Sequence, residues 1–182
     1  MSEERLRWTV NDRAIAYSCP GFDVVHEDVS LPDGTETDFD YLSEPASVVI
    51  LPFTPGGDVV MIEEWRQAVK RLNRGIPAGT VEPDDASVAA AAERELEEET
   101  GYVADRLEPL AQFEPANGLA NSSHHYFVAH DCQPDGTPSH DVDETIRVRV
   151  TPYDALWSQV MDNEIPDGRT ALGVLYHRMQ TA

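Results

Sequence analysis

The sequence predicts a mixed α/β (α+β) domain behind a small antiparallel β unit, and three observations carry that prediction. Up to about residue 45 the chain alternates apolar and polar positions, the period of a half-buried strand. Residues 87–100 read as a strong helix, and short apolar runs flank them on both sides. Helices interleaved with strands belong to the layered α/β architectures. At 182 residues and 20.2 kDa the chain has the size of one domain with a small addition. We therefore divide it into a β-rich unit over residues 1–45 and a main domain over 46–182.

Each element has a local reason. Phe22, Val24, Val29 and Leu31 lead into Pro32-Asp33-Gly34, a tight-turn sequence, and Phe39 and Tyr41 follow it, which is the pattern of a hairpin. Ser47-Val48-Val49-Ile50-Leu51-Pro52-Phe53 is a short apolar run typical of a buried strand. Thr54-Pro55-Gly56-Gly57-Asp58 then turns the chain and Val59-Val60-Met61-Ile62 returns it. Residues 75–83 pass from strand to loop, with Gly and Pro at the bends. The central helix rests on four consecutive alanines, residues 89–92, and on Leu96. Asp84, Asp85 and Ser87 are its candidate N-caps and Gly101 its C′ residue. Strand-like segments resume at 107–113, 126–129 and 146–150. A helix starts near Pro152, and a last one fills 170–179.

The charge balance excludes whole classes of function. Thirteen basic against 34 acidic residues give a net charge of −21. Such a chain repels nucleic-acid backbones and anionic membrane surfaces. A polyphosphate ligand must be met by local positive charge, most economically a divalent metal. Lys70 is the only lysine beside twelve arginines, and 17 Asp and 17 Glu run along the whole length. A scattered acidic surface almost without lysine resembles that of proteins from a high-salt cytoplasm, where salt screens the self-repulsion, and an ordinary acidic domain of a high-GC genome is the alternative reading. Cys19 and Cys132 make neither a disulfide framework nor a metal-type spacing. The N-terminus lacks the apolar run of a signal peptide, and nowhere do ~18 apolar residues follow one another. The expected location is the cytoplasm.

The chemistry concentrates in Arg94-Glu95-Leu96-Glu97-Glu98-Glu99-Thr100-Gly101. Glu95, Glu98 and Glu99 stand at i, i+3 and i+4, so they share one helical face. Like charges at that spacing repel unless a cation sits among them. Hard oxygen donors without Cys or His suit Mg²⁺ or Mn²⁺. On the helix alone, a solvated acidic face is the alternative reading.

The residues from Gly79 to Tyr102 resemble the Nudix box, written GX5EX7REUXEEXGU with U aliphatic. Arg94, Glu95, Leu96, Glu98, Glu99 and Gly101 match REUXEEXG in register. Fourteen residues separate Gly79 from Arg94 where the pattern has thirteen, so Asp85 or Asp84 stands in for the first glutamate, and Tyr102 holds the last aliphatic position. Over roughly residues 45–180, Glu64-Trp65-Arg66-Gln67 and Arg74-Gly75-Ile76-Pro77-Ala78-Gly79 are similar to stretches of ADP-ribose pyrophosphatases. That resemblance implies the Nudix fold, a mixed sheet sandwiched between helices, and a homodimer built through the N-terminal β unit. It implies a metal site of Glu95, Glu98, Glu99 and the backbone carbonyl of Ala78. The implied catalytic group is Glu98, Arg94 as an electrostatic brace, and a general base in the loop His140-Asp141-Val142-Asp143-Glu144. Glu144 is our choice for that base, with Asp143 and Asp141 behind it. Arg66 and Gly79 are assigned to substrate binding.

Asn117 joins them, because it stands where the resembling enzymes carry a proline and it offers both a donor and an acceptor. His124 and His125 precede a strand, so alternation points one imidazole into the core. The implied function is metal-dependent hydrolysis of a nucleoside diphosphate linked to another moiety, ADP-ribose first. The alternatives are another nucleotide sugar, a dinucleotide or an oxidised nucleotide as substrate. A non-catalytic ADP-ribose-binding domain is disfavoured because all three box glutamates are present.

Overall fold

The computed structural model describes residues 5–140 and 145–181, and among these it forms ten strands and three helices. They fall into two compact units. The smaller comprises the chain up to residue 46 together with residues 114–123. Its sheet is β1 (Thr9–Cys19), β2 (Phe22–Ser30) and β3 (Glu36–Ser43), in that order and antiparallel throughout. The expected hairpin is β2–β3. Leu31 and Thr35 close its turn with a 2.8 Å N–H···O bond, and Gly34 takes φ +85°, which a glycine adopts without strain. The segment 114–123 joins by strand-like bonds: Leu42 N–H donates to the Leu119 carbonyl at 2.9 Å, and Asn121 N–H to the Leu42 carbonyl at 3.0 Å.

β1 is an addition to the expected hairpin. Its side chains from Thr9 to Ser18 are exposed on both faces. Hydrophobic alternation reports a strand that buries one face, and β1 buries neither within this chain.

The larger unit holds residues 47–113 and 124–182. Its mixed sheet runs β7 (Ala78–Thr80), β4 (Ser47–Pro52), β9 (His124–His130), β8 (Arg106–Phe113), with β4 and β9 parallel. A second, antiparallel sheet runs β10 (Ile146–Pro152), β5 (Asp58–Arg66), β6 (Arg71–Gly75). Val48 and Ile50 of β4 pack on Ala91, Ala92 and Leu96 of α1 (Val88–Thr100). Val49 and Leu51 pack on Leu156 of α2 (Tyr153–Met161) and Val174 of α3 (Gly168–Thr181). The sheet is therefore sandwiched between helices, as expected. Both faces of β4 are covered, which is why it reads as an unbroken apolar run.

β6 was not legible as a strand, because Arg71-Leu72-Asn73-Arg74-Gly75 carries one large apolar residue. Its pairing with β5 through the turn at Lys70, φ +52°, defines it. The helix caps agree with the sequence. Ser87 Oγ accepts from Ala90 N–H at 3.1 Å, and Gly101, φ +72°, donates to the Glu97 carbonyl.

Candidate active site

Four backbone features bring the box residues together in the larger unit. First, Ile50 N–H donates to the Pro77 carbonyl, and Val49 pairs with Ala78. Alternate residues of an antiparallel ladder bond to the neighbour, so the amide and carbonyl of Ala78 face away from β4. The Ala78 N–H donates to Glu99 Oε2 at 3.0 Å, locking that buried carboxylate against β7. Second, a Cβ at Gly79 would overlap the Glu95 carboxylate, so only glycine lets Glu95 approach this strand so closely. Third, the helical repeat puts Glu95, Glu98 and Glu99 on that same side of α1. Fourth, Ser139 N–H donates to the Glu98 carbonyl at 3.0 Å, and His140 Nε2 lies 3.2 Å from the Glu99 carbonyl. The segment after β9 is thus tied to the helix C-terminus.

Arg94 uses all five guanidinium donors. Nε and Nη2 form a fork on the two oxygens of Asp85, each at 3.0 Å. Nη2 also reaches the Thr80 carbonyl at 2.9 Å, and Nη1 bridges Glu95 Oε1 at 2.9 Å and Glu98 Oε2 at 2.8 Å. This bonding, to Asp85 above all, raises the Arg94 pKa further, so the side chain is permanently cationic. Asp85 is held below the usual carboxylate range, first by Arg94 and then by the Glu82 N–H at 2.8 Å. It therefore remains an anion down to acid pH. Neighbouring glutamates tolerate each other here because one arginine is shared among them.

These residues line a cavity of about 350 Å³, with Ser47, Arg66, Thr80, Glu82, Ser139 and Arg169 completing its wall. Arg66 pairs with the buried Glu64 at 2.6 Å. Arg169 is set by the start of α3. Asp167 accepts from Thr170 N–H at 2.9 Å and from its hydroxyl at 2.6 Å, while Thr170 Oγ1 accepts from Ile76 N–H at 3.0 Å. That network fastens α3 to the strand leading into β7. The cavity thus opposes three arginines to four glutamates. Oxygen donors alone, crowded by charge, fit a hard divalent cation, and arginines beside them fit phosphate oxygens.

Residues 43–171 match the NUDIX domain family. The chain belongs to the Nudix hydrolase family. Members of this family generally use divalent metals, in keeping with the oxygen-only cluster. The chain is 33% identical over 162 residues to the ADP-ribose pyrophosphatase of Bacillus subtilis, covering 88% of this chain and 86% of that one. It is 30% identical over 158 residues to the methanol dehydrogenase activator of Bacillus methanolicus, covering 86% and 84%. A phosphonate-linked CMP hydrolase of Streptomyces rubellomurinus is 26% identical over 171 residues, covering 93% and 82%. A solved ADP compounds hydrolase superposes with a TM-score of 0.85 at 22% identity, over 98% of this chain and 96% of that one, and shares the fold.

Of the residues singled out in the sequence, the structure gathers Arg66, Ala78, Gly79, Arg94, Glu95, Glu98 and Glu99 around one cavity. Of the two candidates for the first box glutamate, Asp85 is the one whose carboxylate carries the fork to Arg94. Asn117 lies in the smaller unit, with Nδ2 3.3 Å from Glu114 Oε2, in a groove shared with Phe39 and Tyr41. Glu144, Asp143 and Asp141 lie outside the described residues. His124 and His125 are both half-buried on β9. Arg169 and Thr80 were missed. For Arg169 a signal existed: a cation in the first turn of a helix faces the positive end of the dipole, so its place asks for another reason.

Proposed function

We propose that this Nudix hydrolase cleaves the diphosphate of a nucleoside diphosphate linked to another moiety, with ADP-ribose as the preferred substrate and AMP and ribose 5-phosphate as products. The observation that carries this reading is the gathering of Glu95, Glu98 and Glu99 with Arg66 and Arg169 around one cavity. The three glutamates and the Ala78 carbonyl would hold Mg²⁺ or Mn²⁺, which supplies charge neutralisation at the diphosphate and an acidified water. Arg94 and Asp85 hold the glutamates in place, and Arg66 and Arg169 orient the anionic substrate. Glu144 is our choice for the general base, supported by the docking of the preceding Ser139 and His140 on the Glu98 and Glu99 carbonyls.

ADP-ribose is favoured by the 33% identity to an ADP-ribose pyrophosphatase across most of both chains. Asn117 in place of a proline favours a second reading, another nucleotide sugar. We take the protein to act as a cytoplasmic homodimer built through its N-terminal unit; that unit exposes Trp8, Val10, Ile15 and Tyr17. No helix among the described residues is long and apolar enough to cross a membrane. The test compares kcat/KM for ADP-ribose, ADP-glucose, GDP-mannose and 8-oxo-dGTP at saturating Mg²⁺. ADP-ribose should lead by about tenfold, roughly 1.4 kcal/mol of transition-state discrimination. A different leader overturns the substrate and leaves the family.

A further inference from the structure

A second cavity, of about 290 Å³, opens in the larger unit on the other side of the β10-β5-β6 sheet. Successive residues of a strand point to opposite faces, and this assigns them. Glu64 and Arg66 of β5 share one face, and Arg66, paired with Glu64, lines the active-site cavity. Val59, Met61 and Glu63 point to the other face. Thr151, Arg149 and Arg147 of β10 stand opposite these three in turn, and Arg74 of β6 stands opposite Glu63. Val59 and Met61 are buried with Leu156 of α2 and with Ile165, so α2 and the stretch after it close that end of the face. The cavity lies where this cover stops. Its wall includes Met61, Glu63, Arg74, Arg149, Thr151 and, from α2, Gln159.

Acids outnumber bases 34 to 13 in this chain, so a cation meets a carboxylate almost anywhere on it. Around this cavity the balance is reversed. Arg147 Nε and Arg149 Nε both donate to Glu63 Oε2, at 2.7 and 3.2 Å, so two guanidinium groups share one carboxylate. Arg74 has no carboxylate partner among the described residues, and its Nη2 donates to the Glu164 carbonyl at 3.1 Å. Burial works to raise the Glu63 pKa, but the bonds from Arg147 and Arg149 outweigh it and hold the carboxyl below its ordinary range. Glu63 is thus an anion, and three guanidinium groups to one carboxylate is the least positive state this cluster takes. Donors are also left over. Among the described residues Arg149 engages only Nε and Arg74 only Nη2, and the Thr151 hydroxyl and Gln159 amide add further N–H and O–H groups to the wall. The last carbonyls of α2 do not compete for them, because those of Ser158, Gln159 and Val160 accept from the N–H groups of Asp162, Glu164 and Asn163.

We infer that this cavity is an accessory site for a phosphate dianion, held by Arg74 and Arg149, with Arg147 adding positive charge behind Glu63. A guanidinium fork matches phosphate oxygens two at a time and keeps its charge at any pH. The ligand is a phosphate group, free or at the end of a small ester. The sheet stands between this site and the active-site cavity, so the inference does not depend on which diphosphate that cavity cleaves.

The experiment is calorimetric titration of the full chain in EDTA at constant ionic strength, with inorganic phosphate in one arm and ribose 5-phosphate in the other. At least one of them should bind saturably. Arg149→Gln should weaken that binding by about tenfold or more, because charge-assisted donors are lost. Arg147 still pairs with Glu63 in this variant, so its circular dichroism and its turnover should match wild type. Arg66→Gln/Arg169→Gln strips arginines from the cavity on the other face and should leave this binding as it is. Either ligand bound through Arg149 upholds the site, and the tighter of the two names its source. Three results overturn the inference: no saturable binding in either arm, binding that Arg149→Gln leaves intact, or binding lost only in Arg66→Gln/Arg169→Gln, which places the phosphate in the active-site cavity.

Discussion

Arg94→Lys isolates what the shared guanidinium does. Arg94 makes five charge-assisted hydrogen bonds. Lysine keeps the charge but has three donors and no planar fork, so the two-oxygen grip on Asp85 is lost with at least one further bond. Glu95 Oε1 and Glu98 Oε2 both touch Nη1, at 2.9 and 2.8 Å, so they lie within about 6 Å of each other. At an effective dielectric of about 20 their repulsion is roughly 3 kcal/mol when nothing stands between them. A lysine ammonium cancels part of this, and the arginine side chain is 24% exposed, which screens the remainder. The net cost should be about 2 kcal/mol, or roughly 4–8 °C in melting temperature for a chain of this size. The assay is thermal unfolding of wild type and variant in EDTA and in Mg²⁺. Bound metal replaces the missing positive charge, so Mg²⁺ should raise the variant's melting temperature more than the wild type's. An unchanged melting temperature in EDTA, or an equal gain from Mg²⁺ in both proteins, would refute the reasoning.

Three other perturbations test separate parts of the molecule. Glu99→Gln keeps an oxygen for the Ala78 N–H but removes one anion from the metal cluster; it should stay folded and lose at least about 100-fold in kcat, and full turnover would sink the site assignment. We propose that the surface, at net −21, suits concentrated salt: helicity and activity should fall in dilute buffer and return at multimolar KCl, and no difference between the two would contradict this. His26 has its pKa raised, first by the hydrogen bond to Asp40 and then by the charges of Asp40, Asp28 and Asp38, with Ala14 opposite on β1. Its extra stability is fully present below the unfolded value of 6.5 and is lost as pH rises through the higher folded value, so wild type should outmelt His26→Gln at pH 5.5 and not at pH 9.

The sequence by itself determined the elements that bury one side and the chemistry that repeats along one helix. β4 reads as a strand because residues 48–51 are apolar on both faces, and α1 reads as a helix because Ser87, the alanines and Gly101 each act within a turn of their neighbours. Glu95, Glu98 and Glu99 share a face by spacing alone. These are local facts, and a period or a cap encodes each of them. Tertiary structure decided everything that depends on partners far along the chain. β1 and β6 are strands because of what they pair with, since neither buries an apolar face of its own. Asp85 rather than Asp84 meets Arg94 because the loop before α1 turns one carboxylate toward the guanidinium, which spacing cannot tell from its neighbour. Arg169 enters the cavity through the Asp167–Thr170–Ile76 network, 94 residues apart at its longest bond. Charge and periodicity are properties of a stretch of chain, whereas a site is a property of the stretches that long-range packing brings together.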